Sequence, residues 1–155
     1  MSTLDDIRII ELKPARCITI REVVAFADMV PFFDRAFTTI AGALAEQGLT
    51  PVGAPYARYY GQPTDTIDIE AGIAVVEEPS GSDTVSAGSL PGGRAATATM
   101  SGSYEGLGAA WGAMYEWIQS HGESASDTMW EVYVTEPTPD MDPADLRTEL
   151  YWPLA

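Results

Sequence analysis

Two stretches of the chain, PFFDRAFTTIAGALAEQG at residues 31–48 and YEGLGAAWGAMYEWIQSHG at residues 104–122, carry the same apolar pattern. Large apolar side chains at i, i+4, i+7 and i+11 in the first stretch recur 74 residues later in the second: Phe33, Phe37, Ile40 and Leu44 correspond to Leu107, Trp111, Met114 and Ile118. This spacing is typical of the buried face of an amphipathic helix. Each stretch ends in a glycine, Gly48 or Gly122, as helices commonly do. The sequence therefore predicts two helices that belong to an internal repeat.

The repeat extends beyond the helices. Before each helix lies an extended run that begins with an arginine, RCITIREVV from Arg16 and RAATATM from Arg94. After each helix come two strand-like runs, PYARYYG with TIDIEAGIAVV in the first copy and MWEVYVTE with LRTELYWPL in the second. Each copy is thus predicted to fold as strand, helix, strand, strand, with repeat one at about 6–76 and repeat two at about 94–154. The segment 77–93, rich in glycine, serine and proline, is predicted to be the linker.

Two such copies predict a single domain of the α+β class. The expected architecture is an antiparallel sheet with two helices on one face. A ligand cleft is expected at the pseudo-twofold junction, because small-molecule sites favour such junctions.

Composition limits the function classes. The 155 residues contain 23 acidic and 8 basic side chains, a net charge of −15, so we expect no direct binding to nucleic acid and none to an anionic membrane surface. No run approaches the roughly 18 consecutive apolar residues of a membrane-spanning helix. Cys17 is the only cysteine and His121 the only histidine, so no internal disulfide, metal site or cofactor is expected, and a cytoplasmic location is the default.

The stretch MWEVYVTEP at residues 129–137 contains the leading site candidate, Glu131. Side chains alternate between the two faces of a strand, so Trp130 and Val132 share one face, and Glu131 and Tyr133 share the other. We expect the first pair in the core. The second pair either faces solvent or lines a concave site, where a carboxylate among aromatic rings attracts cations.

Several aromatic side chains are candidates for the same site. Tyr133, Tyr59 and Tyr151 could stack on a flat ligand or contact a cation, and Tyr151 is expected on the same face as Glu131. Trp111 lies in a helical apolar stripe, where it either packs in the core or touches ligand. Tyr104, at the start of the second helix, either reaches the cleft or anchors the helix to the sheet.

The second copy resembles the GyrI-like small-molecule-binding domain, a family that includes effector-binding domains of multidrug-responsive regulators of the BmrR and Rob type. The resemblance rests on an arginine-bearing strand, a Gly-x-Tyr pattern at Gly102 and Tyr104, a Glu-x-Tyr pattern at Glu131 and Tyr133, and the closing run TELYWPL. The family motif before the helix usually reads His-x-Gly-Pro-Tyr. Here residues 100–104 read MSGSY, so the histidine and the proline are absent.

The resemblance implies a ligand in the cleft between the repeats, with Glu131 close to its cationic groups and Tyr151 in the wall. Because the two repeats use nearly all residues, we expect a stand-alone binding protein without a helix-turn-helix. The expected ligands are hydrophobic and cationic or planar aromatic compounds, for multidrug or toxin sensing or sequestration. The alternative is a hydrolase that detoxifies strained, cyclopropane-bearing electrophiles, with Glu131 and Tyr133 as acid and base. The identity of the ligand, the oligomeric state and any protein partner stay open.

Overall fold

The computed structural model describes residues 3–61, 63–135 and 138–155, and it confirms the α+β class. Within these ranges, eight strands and two α-helices follow one another in this order: β1 (Thr3–Leu12), β2 (Ala15–Ala25), α1 (Met29–Gln47), β3 (Tyr56–Tyr60), β4 (Thr66–Ala74), β5 (Ser86–Leu90), β6 (Gly93–Ser101), α2 (Leu107–Ser120), β7 (Thr128–Tyr133) and β8 (Arg147–Pro153). All pairings described between these strands are antiparallel.

The chain forms two compact units, and each contains one predicted repeat. The first-repeat unit, Lys13–Gly92, has strands in the order β3-β4-β2-β5 and the helix α1. The second-repeat unit, β1 with Gly93–Ala155, has strands in the order β1-β6-β8-β7 and the helix α2. Both units therefore contain the predicted succession of strand, helix, strand, strand.

Each unit also contains a fourth strand that the repeat pattern did not predict. The segment 77–93, expected to be only a linker, contains β5, which pairs with β2 in the first-repeat unit. The N-terminal strand β1 pairs with β6 in the second-repeat unit, although it precedes the first repeat in sequence. Short or irregular edge strands give weak local patterns, and their partners lie far away along the chain, so the sequence pattern did not reveal them.

The helices end where the glycines predict. Gly48 follows α1 with a φ of 65°, and Gly122 follows α2 by two residues with a φ of 72°. Glycine adopts this left-handed conformation without the steric cost that a Cβ adds.

The core of the first-repeat unit lies between α1 and its sheet. The most buried line of α1 is Phe32, Ala36 and Ile40, whereas Phe33 and Phe37 are only partly buried at its edge. The predicted apolar stripe is therefore rotated by about one residue. Crowding explains the shift, because small Ala36 allows the helix to approach the sheet more closely than a phenylalanine would.

The core of the second-repeat unit follows the predicted stripe. Trp111, Met114 and Ile118 of α2 are buried, and they pack with Ala98 of β6 and Leu150 of β8. Among the described residues, no helix combines the length and apolarity required to cross a membrane.

Candidate functional site

Glu131 lies in the interior of the second-repeat unit, on the face of the sheet that carries α2. In the register of β7 and β8, Glu131 is opposite Leu150, whose side chain is in the core beneath α2. Only 1% of Glu131 is exposed to solvent. A carboxylate buried this deeply requires hydrogen bonds, because transfer out of water is otherwise costly.

Two neutral donors supply such hydrogen bonds. The indole Nε1–H of Trp111 donates to Oε1 of Glu131 at 3.0 Å, and the hydroxyl of Tyr133 donates to Oε2 at 2.6 Å. Trp111 is held in turn by an edge-to-face contact with Trp152, with ring centroids 5.5 Å apart. The carboxylate is therefore fixed by one residue of α2 and one residue of its own strand.

Tyr104 completes the group that we call the Glu131 site: Glu131, Trp111, Tyr133 and Tyr104. It lies in a single 3-10 turn before α2, after a sharp bend at Gly102, whose φ is 116°. Its ring meets the Tyr133 ring edge-on, with centroids 5.5 Å apart. Burial, and then the negative charge of Glu131, raise the pKa of Tyr104. Three of the predicted aromatic residues thus surround the predicted carboxylate.

Tyr151 does not share this face, and the expectation that it would is wrong. It is opposite Trp130 in the register of β7 and β8, and the two rings stack with centroids 5.7 Å apart. Its hydroxyl donates to Glu149 at 3.2 Å, and burial, followed by the Glu149 charge, raises its pKa. Alternation therefore places Tyr151 on the face away from α2, and its expected contact with ligand stays a prediction.

Tyr59 belongs to the first-repeat unit, where it corresponds to Tyr133. It is opposite Ile69 in the register of β3 and β4, and it packs against the core under α1. Its role in ligand binding likewise stays a prediction.

Comparison of the two repeats shows which parts of the Glu131 site are special to the second. At the 74-residue spacing, Glu131 corresponds to Ala57, and Trp111 corresponds to Phe37. Ala57 is fully buried and Phe37 is partly buried against the core. The same fold is therefore built in the first repeat with hydrocarbon at both positions, and it does not require the polar pair.

A second buried carboxylate, which the sequence pattern does not predict, lies in the first-repeat unit. Glu70, 7% exposed, accepts hydrogen bonds from Tyr56 at 2.9 Å and from Tyr60 at 2.8 Å. The Arg21 guanidinium lies 3.6 Å from the centre of the Tyr60 ring and forms an ion pair with Asp68. The alternating tyrosines of PYARYYG opposite a lone glutamate in TIDIEAG were the available signal.

No group of three or more histidine, cysteine, aspartate or glutamate side chains within the described ranges is arranged to hold a metal ion. The hydrogen-bonding and aromatic groups of the Glu131 site instead suit an organic molecule.

Solved structures with the same fold include proteins of several roles. The chain is 19% identical to the C-terminal domain of EcmrR, with a TM-score of 0.82 and coverage of 97% of each chain. In a structure of EcmrR in complex with DNA, the match covers 96% of this chain but only 57% of the EcmrR chain. A hydrolase from Listeria innocua is 10% identical, with a TM-score of 0.71 and coverage of 96% of this chain and 91% of that one.

One similar structure contains a cationic ligand. SAV2435, bound to tetraphenylphosphonium, is 13% identical with a TM-score of 0.67, and the match covers 97% of this chain and 94% of that one. No curated protein sequence matches the chain. The sequence matches the GyrI-like small molecule binding domain over residues 5–155, which is nearly its whole length. The chain therefore belongs to the GyrI-like small-molecule-binding family.

Proposed function

We propose that this protein binds small hydrophobic cations, including planar aromatic ones, with Glu131 as the carboxylate that meets the positive charge. The observation that carries the proposal is the deep burial of Glu131 between two neutral donors, Trp111 and Tyr133. These donors stabilise the carboxylate in its charged form without neutralising it.

Burial strengthens the preference of such a carboxylate for cationic ligands. Coulomb attraction between a carboxylate and a cation is several times stronger in a partly desolvated site than in water. Tyr104 and Tyr133 add aromatic faces that attract cations further. Both rings are half-buried, whereas Glu131 is almost fully covered. A ligand therefore reaches the carboxylate after one of these rings moves aside.

Two further observations support the proposal. The first repeat has Ala57 and Phe37 where the second has Glu131 and Trp111, so the fold itself does not require the polar pair. The structure of SAV2435, which has the same fold, is bound to tetraphenylphosphonium, a hydrophobic cation. By analogy with effector-binding domains, we propose that the chain senses or sequesters such compounds in the cytoplasm.

Calorimetric titration with tetraphenylphosphonium and with neutral triphenylphosphine oxide tests the proposal. Glu131→Gln should weaken binding of the cation by about 1–3 kcal/mol, roughly 5- to 150-fold, and affect the neutral compound much less. Glu70→Gln is the matched control, since it also removes a buried carboxylate that is held by two neutral donors. Equal losses for both compounds, or equal losses in both variants, would refute the role of Glu131.

Hydrolysis is a second candidate, favoured by the 2.6 Å hydrogen bond between Tyr133 and Glu131. In this reaction the carboxylate takes a proton from a water molecule, the resulting hydroxide attacks one carbon of a strained three-membered ring, and the proton returns to the carbon that leaves. Incubation with a cyclopropane-bearing electrophile in ¹⁸O-labelled water would show a ring-opened product that contains the label. Turnover should be lost in Glu131→Gln and reduced in Tyr133→Phe. Recovery of the unchanged compound would leave binding as the function.

A further inference from the structure

Thr148 of β8 has a buried hydroxyl that no other described residue uses in a hydrogen bond. The residue is 0% exposed, and its Oγ1 has no hydrogen-bond partner among the described residues. Most buried side-chain polar atoms in proteins have at least one partner, so such an atom requires an explanation.

Thr148 lies beside the Glu131 site. It is opposite Tyr133 in the register of β7 and β8, and residues directly opposite each other in a sheet have Cβ atoms about 4.5–5.5 Å apart. Because Glu131 lies two residues before Tyr133, it is the diagonal neighbour of Thr148 on the same face, within reach of one bound group. The Tyr133 hydroxyl already donates to Glu131, so the residue opposite Thr148 and its diagonal neighbour are hydrogen-bonded to each other.

The first repeat again supplies the comparison. Tyr59, the counterpart of Tyr133, is opposite Ile69, and Ile69 is fully buried in the hydrocarbon core. The register thus equates Thr148 with Ile69. Where the first repeat has a buried hydrocarbon side chain, the second repeat therefore has a hydroxyl without a hydrogen-bond partner in the described part of the chain, next to its carboxylate.

We propose that Thr148 is a specificity-determining residue of the Glu131 site and that it accepts a hydrogen bond from the N–H of a protonated amine. This inference rests on the proposed function, and it narrows the ligand class. A threonine hydroxyl accepts as well as donates hydrogen bonds. When the Tyr133 ring moves aside, an amine can place its charge at Glu131 and its N–H at Thr148. A quaternary ammonium or phosphonium ion has no N–H and satisfies only Glu131.

Two fluorescent probes of equal charge test whether Thr148 selects a protonated amine. One is a dansylamide with a dimethylaminopropyl group, which is protonated at neutral pH. The other is its trimethylammonium counterpart. The wild-type protein should bind the protonated amine about 3- to 10-fold more tightly than the quaternary ion. Thr148→Val, which keeps the shape and removes the hydroxyl, should abolish this preference and leave the affinity for the quaternary ion unchanged.

Thermal unfolding gives an independent readout. Thr148→Val should raise the Tm of the ligand-free protein by a few degrees, because it removes an unpaired buried hydroxyl. Thr97→Val is the control, since Thr97 is also a buried threonine but lies on the other face of the same sheet, opposite Tyr151. This control should keep the preference between the probes.

The contrary results distinguish the inference from the proposed function. Binding that depends on Glu131 but shows no preference for the amine, or a preference that survives Thr148→Val, would overturn the inference alone. Binding of both probes that is indifferent to Glu131→Gln would overturn the proposed function. Failure of the wild-type protein to bind either probe would overturn both.

Discussion

The indole nitrogen of Trp111 and the carboxylate of Glu131 are 3.0 Å apart, and the two residues occupy positions where the first repeat has Phe37 and Ala57. A donor and an acceptor have thus appeared together in one copy of a duplicated fold. Removing either residue alone deprives a buried polar group of the other of this hydrogen bond, whereas hydrocarbon at both positions is compatible with the same architecture. This pairing ties α2 to the strand that carries the proposed binding group.

A double-mutant cycle measures the pairing. Trp111→Phe should lower the free energy of unfolding by about 1–3 kcal/mol, because a buried carboxylate loses one of its hydrogen bonds. The same substitution in a Glu131→Ala background recreates the pair of the first repeat and should cost about 1–2 kcal/mol less. Urea denaturation of the four proteins provides the energies. Strict additivity of the two substitutions would mean that the hydrogen bond contributes nothing to stability.

The pH dependence of stability should report on the tyrosines around Glu70. Burial, and then the hydrogen bond to Glu70, raise the pKa of Tyr60 to about 12 from the usual 10.0. The unfolded chain loses this proton first, so the stabilisation is present below about pH 10 and is lost as the pH rises through about 12. Tyr60→Phe should therefore flatten the decline of the free energy of unfolding above pH 10. Urea titrations at several alkaline pH values would reveal this flatter decline. An identical dependence of the free energy of unfolding on pH in both proteins would contradict the role of Tyr60.

Two glycine-to-alanine substitutions should have opposite effects. A Cβ at Gly72 would lie 2.6 Å from the hydroxyl oxygen of Tyr56, which is 1% exposed and is held by a hydrogen bond to Glu70. Gly72→Ala should therefore cost about 1–3 kcal/mol through overpacking. Gly42 lies in α1 with no atom near its Cβ position, so Gly42→Ala should stabilise the protein by about 0.5–1 kcal/mol. Thermal denaturation distinguishes the two signs, and a neutral Gly72→Ala would show that Tyr56 has room to shift.

The sequence alone was sufficient to predict the repeat, both helices and the placement of Glu131 and Tyr133 on one face of a strand. These follow from local periodicity and from the spacing of 74 residues. The face that turns toward α2 could not be predicted, because both faces of β7 carry large side chains and both Trp130 and Glu131 are buried. The face of Tyr151 depends on the register between β7 and β8, which the long connection between them does not reveal.

From the sequence, Thr148 could be recognised as unusual only by comparison of the two repeats. Glu70 and Glu149 correspond when the connection between the last two strands of the second copy is made five residues longer than in the first. That alignment equates Thr148 with Ile69, but only the structure shows that the hydroxyl has no partner among the described residues.

The edge strands β1 and β5 escaped prediction for a different reason, since each pairs with a strand outside its own local pattern.

The most direct test of the central claim follows the indole N–H signal of Trp111 in ¹⁵N-labelled protein by NMR, assigned by its loss in Trp111→Phe. Titration with tetraphenylphosphonium should shift this signal saturably, because the cation competes for the carboxylate to which the indole donates. The same titration of Glu131→Gln should produce much weaker binding. If the cation binds with equal affinity to both proteins, or leaves the Trp111 signal unmoved while other indole signals shift, Glu131 is not the cation-binding group.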